Sequence, residues 1–222
     1  APILERALAR NSGLGWIGKH TNLINKADGS MFFLGEIFTD LPLETTAGFK
    51  KNHCGTCVSC IDVCPTKAII SPYKLDATKC ISYLTIESKD AIPTELRTYI
   101  GNRIFGCDDC QLFCPWNKYA KVTPIKDFLP RSGLNNRTLL ELFSLSRDEF
   151  ELLTRGSAIR RVSYEQWVRN LAVALGNSPY SRKTLLALYK RKFFPDTMVR
   201  EHIEWAITQM EHNLLNSDAP NK

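Results

Sequence analysis

The chain has 222 residues, of which 44% are hydrophobic and 23% charged, with a formal net charge of +6. That hydrophobic content excludes general disorder and is enough to bury one large core or two small ones. No apolar run approaches the roughly 18 residues that a membrane-spanning helix needs, so the expectation is a soluble protein without a membrane partner, and the modest charge does not by itself select nucleic acid.

The chain opens Ala1-Pro2-Ile3-Leu4-Glu5-Arg6, with neither an initiator Met nor the basic-then-apolar layout of a signal peptide. We therefore expect a cytoplasmic protein with a portion preceding Ala1 left out. Leu4, Ala7 and Leu8 have helical spacing, Gly13 and Gly15 interrupt it, and Met31 to Phe38 reads as a buried strand. Two such elements cannot close a core, so residues 1–50 are expected to be part of a larger α/β unit.

All eight cysteines fall between residues 51 and 125. Cys54, Cys57, Cys60 and Cys64-Pro65 follow the C-x2-C-x2-C-x3-C-P spacing of bacterial two-cluster ferredoxins, in which the fourth cysteine ligates the other cluster. Cys107, Cys110 and Cys114-Pro115 repeat the ending without its first cysteine, and Cys80 is the one left to supply it. The count then assigns Cys54, Cys57, Cys60 and Cys114 to one [4Fe-4S] cluster, and Cys80, Cys107, Cys110 and Cys64 to a second. A pair of zinc sites is the competing reading, but zinc ligands seldom combine three cysteines at this spacing with a Cys-Pro ending. Each cluster with its thiolates carries about two negative charges, which leaves the loaded protein only slightly basic. Between the runs, Asp76 is placed to cap a helix through Cys80, Leu84 and Ile86, and Pro93 to open another toward Tyr99.

From about residue 136 the pattern is helical. Ser146-x-x-Glu149 and Ser163-x-x-Gln166 are capping boxes, and the second opens a helix burying Trp167, Leu171, Ala174 and Leu175 with Gly176 at its stop. A short helix near Lys183 to Tyr189 follows, and Asp196 caps a helix from Thr197 to His212. Helices of this length joined by tight turns predict a HEAT-like stack. The fold class expected is α+β: a partial α/β segment over 1–50, a bacterial-type 2[4Fe-4S] ferredoxin-like domain over 51–125, and helical HEAT-like repeats over 126–222.

Both cysteine runs, together with Ala1 to Arg6, Gly13-Leu-Gly-Trp-Ile-Gly-Lys-His20, Phe32-Phe-Leu-Gly-Glu-Ile37, Cys80-Ile-Ser-Tyr-Leu-Thr-Ile-Glu87 and the helical tail, resemble the epoxyqueuosine reductases from end to end. The resemblance implies an oxidoreductase that uses cobalamin and two [4Fe-4S] clusters to reduce epoxyqueuosine to queuosine in the anticodon loop of tRNA. It further implies a monomer fed by a small electron donor such as flavodoxin or ferredoxin. It makes residues 1–50 the end of a cobalamin-binding catalytic domain and places the proton-donating aspartate upstream of Ala1. Reductive dehalogenases share the core, but those are typically exported and lack the helical repeats. A plain ferredoxin-type electron carrier, whose flanking helices only dock a partner, is the reading from a different class.

The resemblance sets Gly15, Gly18, Lys19 and His20 in a loop facing the corrin, against the plain alternative of a helix-to-strand turn with a surface lysine. It sets Leu34, Gly35 and Glu36 in a strand beneath the cofactor, where a carboxylate in an apolar strand must find a partner. Ser82 and Asp108 would touch cofactor from the cluster side, or equally bond cluster thiolates or cap helices. His53 reads as a neighbour of the cluster ligands, and Trp116 either stacks an extruded base or shields the cluster. For tRNA, the candidates among the basic residues Lys89, Lys118, Lys121, Lys126, Arg131, Arg155, Arg160, Arg161 and Arg169 narrow to Lys89, Arg160, Arg161 and Arg169, with Asn170 beside it. Arg169 and Asn170 share a helix face with Gln166, opposite Trp167 and Leu171.

Overall fold

The computed structural model describes residues 3–45, 47–49, 51–129 and 133–217. Ala1, Pro2 and Arg131 lie outside the described residues. In chain order the elements are α1 (Glu5–Asn11), β1 (Trp16–Ile17), β2 (Leu23–Ile24), α2 (Ser59–Val63), β3 (Ile69–Ser71), β4 (Lys74–Leu75), α3 (Ile81–Ile86), α4 (Thr94–Ile100), α5 (Asp109–Leu112), α6 (Leu139–Ser144), α7 (Arg147–Leu153), α8 (Tyr164–Gly176), α9 (Arg182–Lys190) and α10 (Thr197–Ser217). They divide into two compact units, one of Ala1–Ala77 with Asp108–Lys126, the other of Thr78–Cys107 with Asp127–Lys222. The units thus cut across the three consecutive segments expected from chain order.

In the first unit, β1 and β2 form an antiparallel hairpin with Trp16 opposite Ile24 and Ile17 opposite Leu23. Gly15 has no room for a side chain: a Cβ there would sit 2.1 Å from the Ile24 carbonyl oxygen. The chain after the hairpin is pinned to the second cysteine run, since the Ser30 amide and the Asn117 side-chain oxygen are 2.6 Å apart and the Asn117 amide donates to the Gln111 carbonyl at 2.6 Å.

The strand expected over Met31 to Phe38 does not form. Those residues belong to no strand, and Phe33, Ile37 and Phe38 are 85%, 94% and 78% exposed. The segment is apolar and β-prone, but a strand needs a neighbour for its backbone groups, and among the described residues it pairs with neither of the two two-stranded sheets. Glu36 is exposed to water, so the partner demanded of a buried carboxylate is not required.

The second unit is built around α8, buried from Tyr164 to Gly176 except at Glu165. Its two sides are chemically distinct. Trp167, Leu171 and Leu175 pack with Leu142, Phe143, Val199, Ile203 and Met210 in the larger core. The close crossing with α10 depends on Gly176, where a Cβ would meet the Trp205 ring at 2.6 Å and the Ala206 Cα at 3.0 Å. The opposite side of α8 is polar yet equally buried. There Gln166 and, one helical turn on, the neighbours Asn170 and Arg169 donate to the carbonyls of Ile86, Thr85 and Leu84 in turn. These are carbonyls from the last turn of α3, which an α-helix leaves without intrahelical partners. Arg169 also donates to Ser88 and Asp90 carbonyls at 2.9 and 2.6 Å.

Local capping was legible. Ser146 and Ser163 both make the reciprocal capping box, and Asp196 accepts from the Val199 amide at 3.0 Å. The helix carrying Cys80 differs: it begins at Ile81 with Cys80 itself at the N-cap, after a 3-10 turn at Ala77–Lys79, so Asp76 is not its cap.

Candidate metal-cluster site

The geometry of the first unit brings Cys54, Cys57, Cys60 and Cys114 around one cavity of about 260 Å³. Three of them come from a tight loop. The Asn52 side chain accepts from the Cys54 amide at 2.8 Å, the Cys57 amide reaches back to the Cys54 carbonyl at 3.1 Å, and α2 then carries Cys60 inward, where it is 7% exposed. Cys114 arrives after α5, and Pro115 begins a 3-10 turn that leads the chain away, as the Cys-Pro spacing predicts.

The thiols have the electrostatics of a ligand set. Burial, together with the Cys114, Cys54 and Cys57 thiols, pushes the Cys60 thiol up to about 11. Burial likewise raises Cys114, whereas the Ser59 hydroxyl, its oxygen 3.3 Å from the Cys57 sulfur, lowers Cys57. Crowded thiolates of this kind are stable only with compensating cations. Among the described residues no three His, Cys, Asp or Glu side chains converge tightly enough for a single ion. Four thiols lining one cavity are the donor set an iron–sulfur cube takes, one thiolate for each iron.

Lys19 and His20 line this cavity rather than an outer face, being 8% and 3% exposed. Lys19 spends two donors on the carbonyls of Gly55 and Cys57, at 2.7 and 2.8 Å, clamping the cysteine loop from the hairpin turn. The expectation that its amine is offered to a corrin is corrected accordingly, and the plain alternative of a surface lysine fails as well. His20 accepts the Asn22 amide at Nδ1, 3.1 Å away, and its pKa is lowered to about 4 by burial. Gly18 makes room for that ring, since a Cβ there would lie 3.0 Å from His20 Cε1. An aromatic group covers one side: Trp16 meets His53 and Trp116 edge-on, both at 4.9 Å between ring centres, and Trp116 donates to the His53 carbonyl at 3.3 Å. Trp116 is thus packed beside the cysteines, the shielding arrangement of the two considered.

Of the remaining cysteines, Cys64 and Cys110 stand in the first unit and Cys80 and Cys107 in the second. Cys64 accepts the Ala68 amide at its sulfur, 3.3 Å away, as ligating thiolates do. Asp108 is the N-cap residue of α5 and accepts from the Gln111 side chain at 2.9 Å. Ser82 is half-buried on α3, and Leu34 is half-buried beside exposed Gly35 and Glu36.

Two of the tRNA candidates are corrected. Arg169 and Asn170 are fully buried, and their donors are consumed by carbonyls within the second unit. Helical periodicity identified a shared polar face correctly; what it could not register was that the face meets the end of α3 instead of water. Lys89, Arg160 and Arg161 are exposed. Arg161 pairs with Glu87 at 2.5 Å, both side chains being largely in solvent, so the pair contributes little stability and is easily exchanged for another anion.

These sulfur donors define an iron–sulfur protein. Residues 53–117 match the family described as a 4Fe-4S double cluster binding domain. The epoxyqueuosine reductases of Pseudomonas aeruginosa and Escherichia coli are 56% and 53% identical over 93% and 94% of the chain. A solved epoxyqueuosine reductase from Bacillus subtilis matches 98% of the chain at 30% identity with a TM-score of 0.86. Another, solved with an epoxyqueuosine-modified tRNA-Tyr stem loop, matches it with a TM-score of 0.82. Over the length it shares with them, the chain is similar to the epoxyqueuosine reductases in both sequence and fold. It spans 57% and 55% of the two curated relatives and 59% of each of these two structures.

Proposed function

We propose that this chain serves the reduction of epoxyqueuosine to queuosine in the anticodon loop of tRNA. The observation that carries the reading is the cavity ringed by Cys54, Cys57, Cys60 and Cys114, in a chain whose relatives are named for that reaction. The epoxide accepts two electrons and two protons; both of its C–O bonds give way to one C=C bond, and the oxygen leaves as water. When bound, the clusters would supply electrons singly and cobalamin would supply a strongly reducing cobalt centre.

Within that scheme the residues have separate tasks. The four cysteines would hold one cluster, Lys19 fixes the loop that presents three of them, and Trp16, His53 and Trp116 keep water from one side of it. The four remaining cysteines, Cys64, Cys80, Cys107 and Cys110, are the donors left for the second. For cobalamin, Leu34, Gly35 and Glu36 fit best: they lie outside any strand, and Gly35 has nothing within 4 Å of a built Cβ, so a macrocycle can approach their backbone. Gly15 and Gly18 answer instead to the hairpin and to His20. Lys89, Arg160 and Arg161 remain the phosphate-contacting candidates, and the helices from Leu139 onward we read as a HEAT-like stack that presents the two arginines. No described helix is long and apolar enough to cross a membrane, and we place the protein in the cytoplasm as a monomer drawing electrons from flavodoxin or ferredoxin.

The test is made on protein purified without oxygen and supplied with reductant, cobalamin and tRNA bearing the epoxide. Mass spectrometry of the digested tRNA should show the modified nucleoside losing one oxygen only when cobalamin is present. Conversion without cobalamin would refute the cofactor assignment, and loaded clusters with no conversion by the protein that carries this chain would refute the reaction.

A further inference from the structure

The unclaimed group beside the cysteines is His20. It lines the cavity formed by Cys54, Cys57, Cys60 and Cys114 and is 3% exposed, and its Nε2 is a buried polar atom with no hydrogen-bond partner. Its protonation follows from geometry. The Asn22 amide donates to Nδ1, so Nδ1 is an acceptor and the ring hydrogen resides on Nε2. A buried N–H without an acceptor is unfavourable, yet the loop holds it in place: Gly18 leaves space for the ring, and Thr21 turns through a left-handed conformation, φ 70°, to close the loop around it. The acceptors available in the cavity are thiolate sulfurs and the sulfides of the cluster they would hold.

We infer that His20 Nε2–H donates to the sulfur of the cluster held by Cys54, Cys57, Cys60 and Cys114, and thereby raises that cluster's reduction potential relative to its neighbour. The inference rests on the cluster reading above. A donor aimed at cluster sulfur favours the reduced, more negatively charged state, which is one of the ways in which proteins set such potentials. His20 is in this sense a positioning and tuning residue: it acts on electron flow without touching the substrate. A donor on one cluster of a pair makes that cluster the better electron acceptor and so gives the transfer a direction.

The experiment is an EPR-monitored redox titration of the anaerobically purified protein, with iron and sulfide counted for each variant. His20→Asn keeps an oxygen where the Asn22 amide needs one and withdraws the Nε2 donor; His20→Gln places an amide N–H near the Nε2 position. The expected result is a shift of one of the two potentials to more negative values in His20→Asn, recovery toward wild type in His20→Gln, and unchanged iron in both. Unchanged potentials in His20→Asn would overturn the inference, as would loss of the same cluster in both variants, which would make His20 a packing residue. A wild-type protein without paired cluster signals would instead overturn the cluster reading itself.

Discussion

Replacing Arg169 with Met separates two roles for the same residue. In the structure its guanidinium serves three main-chain carbonyls, those of Leu84, Ser88 and Asp90, and the Asn170 side-chain oxygen. Burial pulls its pKa down only to about 10, so it is a cation at neutral pH, held near the carbonyl end of α3. Met fills much of the same volume but donates nothing. The Ser88 carbonyl keeps the Gln166 side chain at 2.9 Å; the Leu84 and Asp90 carbonyls left without a donor cost roughly 1–3 kcal/mol each, partly offset because a cation need no longer be desolvated, which leaves a net loss of about 3 kcal/mol. For a chain of this length each kcal/mol moves the melting temperature by about 2–4 °C, so Arg169→Met should melt roughly 6–12 °C below wild type by far-UV circular dichroism without oxygen. Arg169→Lys keeps the charge but not the fork of donors, and should recover only part of the loss. A melting temperature for Arg169→Met equal to wild type, with weakened tRNA binding, would refute this account and restore Arg169 to the RNA surface.

Three other outcomes follow from the same structure. Lys19→Met leaves the Gly55 and Cys57 carbonyls without their donor, so iron content after reconstitution should fall toward one cluster per chain and chelators should strip the remainder faster; full, chelator-resistant iron would contradict the clamp. Gly176→Val drives a side chain into Trp205 and the α10 backbone, an overpacking cost of about 1–3 kcal/mol readable as a lower melting temperature. His202 accepts the Ile92 amide at Nε2 and bonds the Met198 carbonyl through Nδ1, and burial lowers its pKa from 6.5 to about 4. Its depressed value means the unfolded chain takes up the proton first as pH falls, so its contribution is complete above about pH 6.5 and is lost toward pH 4. The loss between pH 7.5 and pH 5 is about 2 kcal/mol, and His202→Asn should flatten the pH dependence of melting by that amount.

What could be read from the residues divides by the range of the interaction concerned. Ser146, Ser163 and Asp196 cap their own helices across three residues, and the cysteine spacings state their chemistry locally, so these were legible. Met31 to Phe38 was misread because strand formation depends on a neighbour that its own composition does not encode. Arg169 and Asn170 were misread for a related reason: a polar helix face has the same periodicity whether it meets water or the unsatisfied end of another helix about 80 residues earlier. His20 and Lys19 were noticed for a macrocycle. Their turn toward the cysteines depends on the hairpin of β1 and β2, and the faint signal for it was Gly18, where a Cβ would crowd both the Ile24 and His20 side chains.

The polar side of α8 also carries a cost in time. The Leu84, Ser88 and Asp90 carbonyls precede the guanidinium that satisfies them by 79 to 85 residues, an interval of roughly 4–17 seconds at ordinary rates of synthesis. Throughout that interval the nascent α3 has an uncapped end, with Cys80 at its start already made and Cys107 nearby made for most of it. Metal capture by those two cysteines, if it happens during translation, happens on a helix that its own chain has not yet secured.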